Sequence, residues 1–134
     1  MKSLIRNMKS YTDLEQSQKL AEILPPESAD MEYLLEHWID EKTGRHKEEY
    51  YKIPVVKVDD DCPGQQITLP CWTLAALLSV FSLPRLMLDE QEDGWRGWFV
   101  SHYTDDYRYD SDYTDEPIDA CYNLILQLKE KNLL

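Results

Sequence analysis

The chain has 134 residues and a formal net charge of −12, and 43% of its residues are hydrophobic. This composition is too apolar for a disordered chain and suits one domain spanning residues 1–134. From Asp59 onward 15 acidic residues stand against five basic ones, and such a field repels phosphate backbones and anionic lipid, so we expect no direct nucleic-acid or membrane binding.

The segment Met1–Lys9 lacks the unbroken apolar run of a signal peptide. No stretch approaches the ~18–20 apolar residues that a bilayer span needs. We therefore expect a soluble cytoplasmic protein without cofactor. In that compartment the odd set of three cysteines, Cys62, Cys71 and Cys121, is expected to stay reduced.

The first predicted element is a helix from Asp13 to Leu24. Thr12 and Glu15 have the spacing of a capping box, in which each side chain satisfies a free backbone donor at the helix start. Pro25 and Pro26 then end the helix, because proline lacks the N–H that would continue it.

The segment Met31–Ile39 has apolar residues at helical spacing, with Asp30 available as an N-cap. We predict a helix here, with a short strand as the alternative. Lys42–Arg45 contains Gly44 and is expected to form a turn.

Tyr50–Val58 is rich in aromatic and β-branched residues and is predicted to be a strand. Pro54 has no N–H for a ladder, so the strand should lie at an edge or carry a bulge. A loop at Asp59–Gly64 follows, and Ile67–Leu69 is a candidate to pair back.

Trp72–Phe81 is apolar on nearly all sides, which predicts a buried helix at the centre of the core. We expect Trp72, Trp95 and Trp98 to fill core volume. A ligand-stacking wall is the alternative for these three side chains.

Arg85–Leu88 and Trp95–Tyr103 are predicted to form a hairpin whose connection ends in Asp93-Gly94, a favoured turn pair. Strand alternation would put Trp98, Val100 and His102 on one face and Phe99, Ser101 and Tyr103 on the other.

The last predicted helix runs from about Asp115 to Lys131, with Thr114 or Asp115 as N-cap and Pro117 in the first turn. Its buried stripe is Ile118, Cys121, Tyr122, Ile125 and Leu128. Together the elements predict an α+β fold, in which a small antiparallel sheet is packed by two to three helices.

Tyrosines alternate with carboxylates between the hairpin and the last helix. Because tyrosine is favoured in protein interfaces, we interpret this segment as a contact surface for a protein partner. The candidate contact residues are Tyr103, Asp105, Asp106, Tyr107, Tyr109, Asp110, Asp112 and Tyr113.

Two other interpretations of this acidic segment stay open. Its regularly spaced carboxylates are compatible with mimicry of a nucleic acid in a basic groove. Asp110 and Asp112 offer alternating oxygen ligands for a divalent cation, although the glycine and the distal glutamate of a calcium loop are missing.

No catalytic, cofactor-binding or metal-ligating residues are assigned from the sequence. The cysteines and the histidines His37, His46 and His102 lack the close pairs of a structural zinc site. The chain has neither a nucleophile elbow nor a phosphate-cradling glycine loop. A small enzyme with a carboxylate-lined or divalent-metal site is therefore the alternative to a binding module.

Four segments follow one another along the chain, namely Tyr11–Leu20, Ser28–Met31, Leu69–Leu74 and Glu116–Cys121. In these segments, and over nearly its whole length, the chain resembles a family of small proteins from Bacteroides-group gut bacteria, their phages and mobile elements. The resemblance implies an accessory role on a mobile element and no particular activity. Asp59–Gln66 and Asp105–Asp112 depart from the family pattern.

Tyr103–Ala120 also resembles HicB-type antitoxins in its order of strand, acidic loop and helix opening on Pro-x-x-Ala. The recognisable DNA-binding tail of those antitoxins is missing. From the acidic, tyrosine-rich segment and the lack of a catalytic motif we expect a non-enzymatic acidic module that binds a host or phage protein. A nucleic-acid-mimicking inhibitor or a HicB-like antitoxin domain is a further alternative.

Overall fold

The computed structural model describes residues 8–57 and 68–134, and these form three α-helices, a short 3₁₀ turn at Pro26–Ser28 and seven strands in two antiparallel sheets. The α+β class with small antiparallel sheets is confirmed. In chain order the elements are α1 (Leu14–Ala21), β1 (Met31–Ile39), β2 (His46–Tyr50), β3 (Val55–Val56), β4 (Thr68–Cys71), α2 (Leu74–Leu78), β5 (Arg85–Glu90), β6 (Arg96–Tyr103), β7 (Arg108–Asp110) and α3 (Pro117–Glu130).

The expectations for Val58, the loop Asp59–Gly64, Cys62 and Ile67 lie outside the described residues. None of the helices that the structure describes is both long enough and apolar enough to cross a bilayer.

The first sheet is built on β1, which pairs antiparallel with β2, β3 and β4. The predicted helix at Met31–Ile39 is therefore wrong, and the strand alternative is correct. Tyr33 and Leu35 alternate into the core, whereas Ile39 is 69% exposed. The apparent helical spacing thus included residues that are not part of any buried face.

The predicted strand at Tyr50–Val58 is interrupted. β2 ends at Tyr50, and the chain returns to β1 only at Val55, where Val55 pairs with Glu32. Pro54 lies in the interruption, as the missing N–H of proline requires. Thr68–Cys71 pairs with β1, in the register that joins Leu69 to Tyr33.

The N-cap of helix α1 lies one residue later than predicted. Asp13 is the N-cap and exchanges hydrogen bonds with Gln16, so the predicted pair of Thr12 and Glu15 is wrong. Thr12 is fully buried instead, and its hydroxyl accepts a 3.1 Å hydrogen bond from the backbone N–H of Trp72. That bond ties the start of α1 to the end of β4.

Helix α3 is the centre of the main core, and the predicted central position of the Trp72–Phe81 helix is wrong. α2 has only five residues, of which Leu77 alone is fully buried. The buried side of α3 is formed by Ile118, Ala120, Cys121, Leu124, Ile125 and Leu128, all at 0% exposure. α3 begins after Glu116, which makes no side-chain cap hydrogen bond, so neither Thr114 nor Asp115 is the N-cap.

The second sheet is a meander in which β6 lies between β5 and β7. The predicted hairpin is confirmed, with Met87 opposite Phe99 and Gly94 in the left-handed region at φ 85°. Trp95 belongs to the turn and not to the strand. Its side chain is 41% exposed, so the prediction that it fills the core is wrong, whereas Trp72 is fully buried.

Candidate functional site

The two faces of the second sheet have different surroundings. Leu86, Trp98 and Val100 lie on the inner face, where they pack in the same core cluster as α3. Alternation along the strands places Met87 and Phe99, which pair with each other, on the outer face.

The outer face carries a group of aromatic side chains that remains open to solvent. Tyr113 makes edge-to-face contacts with Trp95 and Phe99, at ring-centroid distances of 5.0 and 5.4 Å. Met87, Trp95 and Tyr113 keep 43%, 41% and 48% of their surface exposed. We call Met87, Trp95, Phe99, Tyr103 and Tyr113 the aromatic face.

A hydrogen bond restrains Tyr113 on the aromatic face. The Tyr113 hydroxyl donates to Asp89 Oδ2 at 2.9 Å, across to β5. This bond to a carboxylate raises the pKa of Tyr113. The phenol therefore stays a neutral donor, and its ring is fixed before any partner arrives.

A polar cluster borders the aromatic face on the β7 side. Asp110 Oδ1 accepts from Ser101 Oγ at 2.6 Å and from Arg108 Nε at 2.8 Å. Partial burial alone would raise the pKa of Asp110, but these two hydrogen bonds and the arginine charge hold it below its usual value. Arg108 also lies over the Tyr103 ring, 5.8 Å from its centroid.

The turn between β6 and β7 presents the most exposed acidic groups of the segment. The Thr104 N–H donates to the Tyr107 carbonyl at 2.8 Å, which closes a tight turn through Asp105 and Asp106. Both aspartates are exposed, and Tyr107 is 67% exposed. The tip of this hairpin therefore offers two carboxylates and a phenol to solvent.

Two of the predicted contact residues turn away from this surface. Tyr109 packs against the main core with the Lys131 ammonium 5.3 Å from its ring, and Asp112 is tied by two hydrogen bonds to Asn123 of α3. The other predicted residues lie on the aromatic face, in its polar border or in the turn, namely Tyr103, Asp105, Asp106, Tyr107, Asp110 and Tyr113.

The sequence prediction missed Met87, Trp95 and Phe99 as members of the surface. Alternation placed Phe99 and Tyr103 on a common face, but no pattern showed that the helices cover the opposite one. Gly97 was the available indicator, because a glycine inside a strand often marks a close approach of another group. Here that group is the indole of Trp95.

A second group of side chains lies at the far end of the β1–β2 hairpin. His37, His46 and Glu48 form the one group of three potential metal ligands found among the described residues, with ligand atoms within 4.8 Å of one another. It was missed because Met31–Ile39 was predicted to be a helix. A hairpin register centred on the turn before Arg45 would have found it.

Comparison with protein-family models, curated proteins and solved structures finds no match to this chain.

Proposed function

We propose that the protein is a non-enzymatic binding module, and that the aromatic face with the Asp105–Tyr107 turn contacts a basic, extended segment of a partner protein. The observation that carries the proposal is the open aromatic group of Trp95, Phe99 and Tyr113 on the sheet whose β6–β7 turn exposes Asp105 and Asp106. Aromatic side chains that are accessible yet already positioned are typical of interface hot spots.

The charge around the aromatic face favours a basic partner. Between Arg85 and Glu116 the chain has ten acidic residues and three arginines. Two of those arginines are engaged by neighbours, since Arg96 pairs with Glu90 at 3.1 Å and Arg108 with Asp110 at 2.8 Å. The remaining acidic charge attracts lysine and arginine side chains and accelerates their encounter with this surface.

The aromatic rings are not only exposed but also held in position, and this restraint favours binding. Edge-to-face contacts and the Tyr113–Asp89 hydrogen bond restrict the rings before binding. A preorganised surface loses less conformational entropy on association, so more of the contact energy appears as affinity. Arginine side chains also stack well on tryptophan and tyrosine rings.

The resemblance to mobile-element proteins suggests that the partner is a host or phage protein. A partner whose basic surface is itself a nucleic-acid groove is one case of this proposal, in which the module would act as a nucleic-acid mimic. Competition distinguishes that case, because added DNA or RNA would then displace the module from the partner.

The direct test uses a labelled peptide in which arginine alternates with leucine, and a glutamate–leucine peptide as its counterpart. We expect the fluorescence anisotropy of the basic peptide to rise on titration with the protein, and that of the acidic peptide to stay constant. A Trp95→Ala variant should weaken binding about tenfold or more, as expected for an aromatic hot spot.

A matched pair of variants separates a specific surface from the overall negative charge. Asp105→Asn with Asp106→Asn and Glu27→Gln with Glu130→Gln remove the same charge from exposed positions. The proposal requires that only the aspartate pair weakens binding clearly. Equal loss in both pairs, or unchanged affinity in Trp95→Ala, would contradict it.

A further inference from the structure

We propose that His37, His46 and Glu48 form a binding site for a divalent transition-metal ion, with Zn²⁺ as the type example. This site lies on the first sheet and is independent of the binding surface on the second. Three observations support this assignment: the register of the β1–β2 hairpin, the distances between the ligand atoms and the chemistry of the ligands.

The hairpin register places the three side chains on one face. His37 pairs with Glu48, and His46 pairs with Ile39, two positions nearer the turn. Since side chains alternate along a strand, positions 37 and 39 of β1 share a face with 46 and 48 of β2. His37 and His46 are therefore diagonal neighbours, which long side chains bridge.

The hydrogen-bond pattern of the hairpin also brings the side chains of the His37–Glu48 pair close together. The Asp40 N–H donates to the Arg45 carbonyl at 2.9 Å, and the Tyr51 N–H donates to the Leu34 carbonyl at 2.9 Å. Hydrogen-bonded and non-hydrogen-bonded pairs alternate in an antiparallel ladder, so the 37/48 pair is non-hydrogen-bonded. In such pairs the side chains approach most closely.

The distances match the edges of a metal tetrahedron. His37 Nδ1 lies 3.3 Å from His46 Nε2 and 3.4 Å from Glu48 Oε1. Metal–ligand bonds of about 2.0–2.1 Å at tetrahedral angles give ligand–ligand edges of about 3.3–3.4 Å. Two edges of the site are thus already near the length that a bound Zn²⁺ requires.

The rings must rotate out of their stacked arrangement to direct both lone pairs at one ion. They are now stacked, with 18° between their planes and 5.3 Å between centroids. The side chains of His37 and His46 are 47% and 57% exposed, so this rotation disturbs no core contact. The hairpin backbone supplies the spacing, and the exposed rings complete the geometry.

The ligand set selects the class of ion. Imidazole nitrogens suit Zn²⁺, Cu²⁺ and Ni²⁺, whereas Mg²⁺ and Ca²⁺ prefer sites made only of oxygen. Two histidines and one carboxylate leave a fourth tetrahedral position for water or for a group from another molecule. The net charge of −12 adds a favourable long-range field for a cation.

The test titrates the full chain, purified without a histidine tag, with ZnCl₂ by isothermal calorimetry. The imidazole nitrogens of His37 and His46 are followed in parallel by long-range ¹H–¹⁵N NMR. We expect saturable binding with shifts at both rings, and no response of these rings to MgCl₂ or CaCl₂. The NMR readout assigns the ion to this site even if thiols bind zinc elsewhere.

Single variants His37→Gln, His46→Gln and Glu48→Gln should each weaken the metal binding seen at these rings about tenfold or more. Loss of a group that only hydrogen-bonds to a metal ligand already lowers metal affinity by about tenfold or more, and loss of a ligand itself should have at least that effect. The matched control is Glu36→Gln with Glu49→Gln, a directly paired set on the opposite face of the same hairpin. The control should bind as the unmodified protein does. Absent ring shifts, an equal response to CaCl₂, or losses in the control equal to those in the variants would overturn the proposal.

Discussion

The indole of Trp95 lies against the backbone of Gly97, so that a Cβ at position 97 would stand 2.5 Å from the Trp95 Cη2 atom. No side chain can occupy that space while the indole stays where it is. The same Cβ would lie 3.1 Å from the Cβ of Tyr113. The absence of a side chain at Gly97 is thus what permits Trp95 and Tyr113 to meet above the sheet.

We predict that Gly97→Ala displaces the Trp95 indole and lowers affinity for the basic peptide, with little loss of stability. The clash is with the end of an exposed side chain, which swings away, so the cost should be about 1 kcal/mol, at the low end for overpacking. The indole N–H resonance of Trp95, identified by its loss in Trp95→Phe, should shift.

The internal control for that experiment is Trp72, whose indole N–H donates to Ser28 Oγ at 2.9 Å within the core. Its resonance should stay in place. If neither the Trp95 resonance nor peptide affinity changes in Gly97→Ala, the aromatic face is not held by the close approach of the indole.

The elements that could be predicted from the sequence are those in which several signals within one short segment indicate the same structure. α3 combines a proline in its first turn with a continuous apolar stripe, and the β5–β6 hairpin combines alternation with an Asp-Gly turn. Each of these signals lies within one short segment. Both elements were therefore found, with every boundary within two residues of the one observed.

A helix was predicted for the segment of β1, with a strand only as the alternative, because the burial of this segment depends on distant parts of the chain. Met31, Tyr33 and Leu35 are placed by pairing with β4 and β2, whereas Trp38 and Ile39 extend beyond the core into the free end of the hairpin. Apolar residues that stay exposed mimic a helical stripe in a single sequence. The helix prediction also concealed the group of His37, His46 and Glu48.

The contact surface was half predicted for a similar reason. Composition identified Tyr103, Tyr107 and Tyr113 as unusual, but only tertiary packing decides which face of the second sheet α3 covers. Tyr109 packs against the core on the inner face, whereas Phe99 and Met87 lie on the outer face. A pattern of alternation fixes which residues share a face, not which face is buried.

We predict that Tyr33→Phe lowers the free energy of unfolding by about 1–2 kcal/mol. The Tyr33 side chain is 1% exposed, and its hydroxyl donates to the Thr12 carbonyl at 2.7 Å. Removing this donor leaves the buried carbonyl with only two longer hydrogen bonds, from Ser17 Oγ and Cys71 Sγ, both at 3.4 Å. Urea denaturation measures the change, with Tyr107→Phe as the matched control at an exposed position, expected within about 0.5 kcal/mol of the unmodified protein.

An equal effect of the two tyrosine substitutions would mean that the Tyr33 hydroxyl is solvated in the folded protein. The buried hydrogen-bonding group of Thr12, Tyr33 and Trp72 would then not hold α1 against β4. That outcome would contradict the packing of the first sheet and α1.

We predict that the thiols of Cys71 and Cys121 resist alkylation in the folded protein. Both are fully buried, and burial raises the pKa of each thiol, to about 12 for Cys121. The reactive thiolate is therefore scarce as well as inaccessible. Iodoacetamide treatment followed by peptide mass spectrometry should leave both unmodified in buffer and label both in urea. Native labelling of either at the rate of a free cysteine peptide would contradict this burial.

We predict that His102 makes the protein less stable as the pH falls below about 6.5. The ring is 9% exposed, its Nδ1 accepts from the Ser82 N–H at 2.9 Å, and burial lowers the pKa of His102. His102 therefore binds a proton more readily in the unfolded chain than in the folded chain. The contribution is therefore fully present above the unfolded-state pKa and is lost as the pH falls toward the folded-state value.

The corresponding measurement compares urea denaturation of the unmodified protein and His102→Asn from pH 8 down to pH 5. Asparagine retains an acceptor close to the position of Nδ1 but does not titrate, so the variant should lose less stability over this interval. Its stability at pH 8 supplies the baseline, which separates the cost of the lost ring from the pH effect. Parallel pH profiles for the two proteins would show that His102 is protonated as readily in the fold as in the unfolded chain.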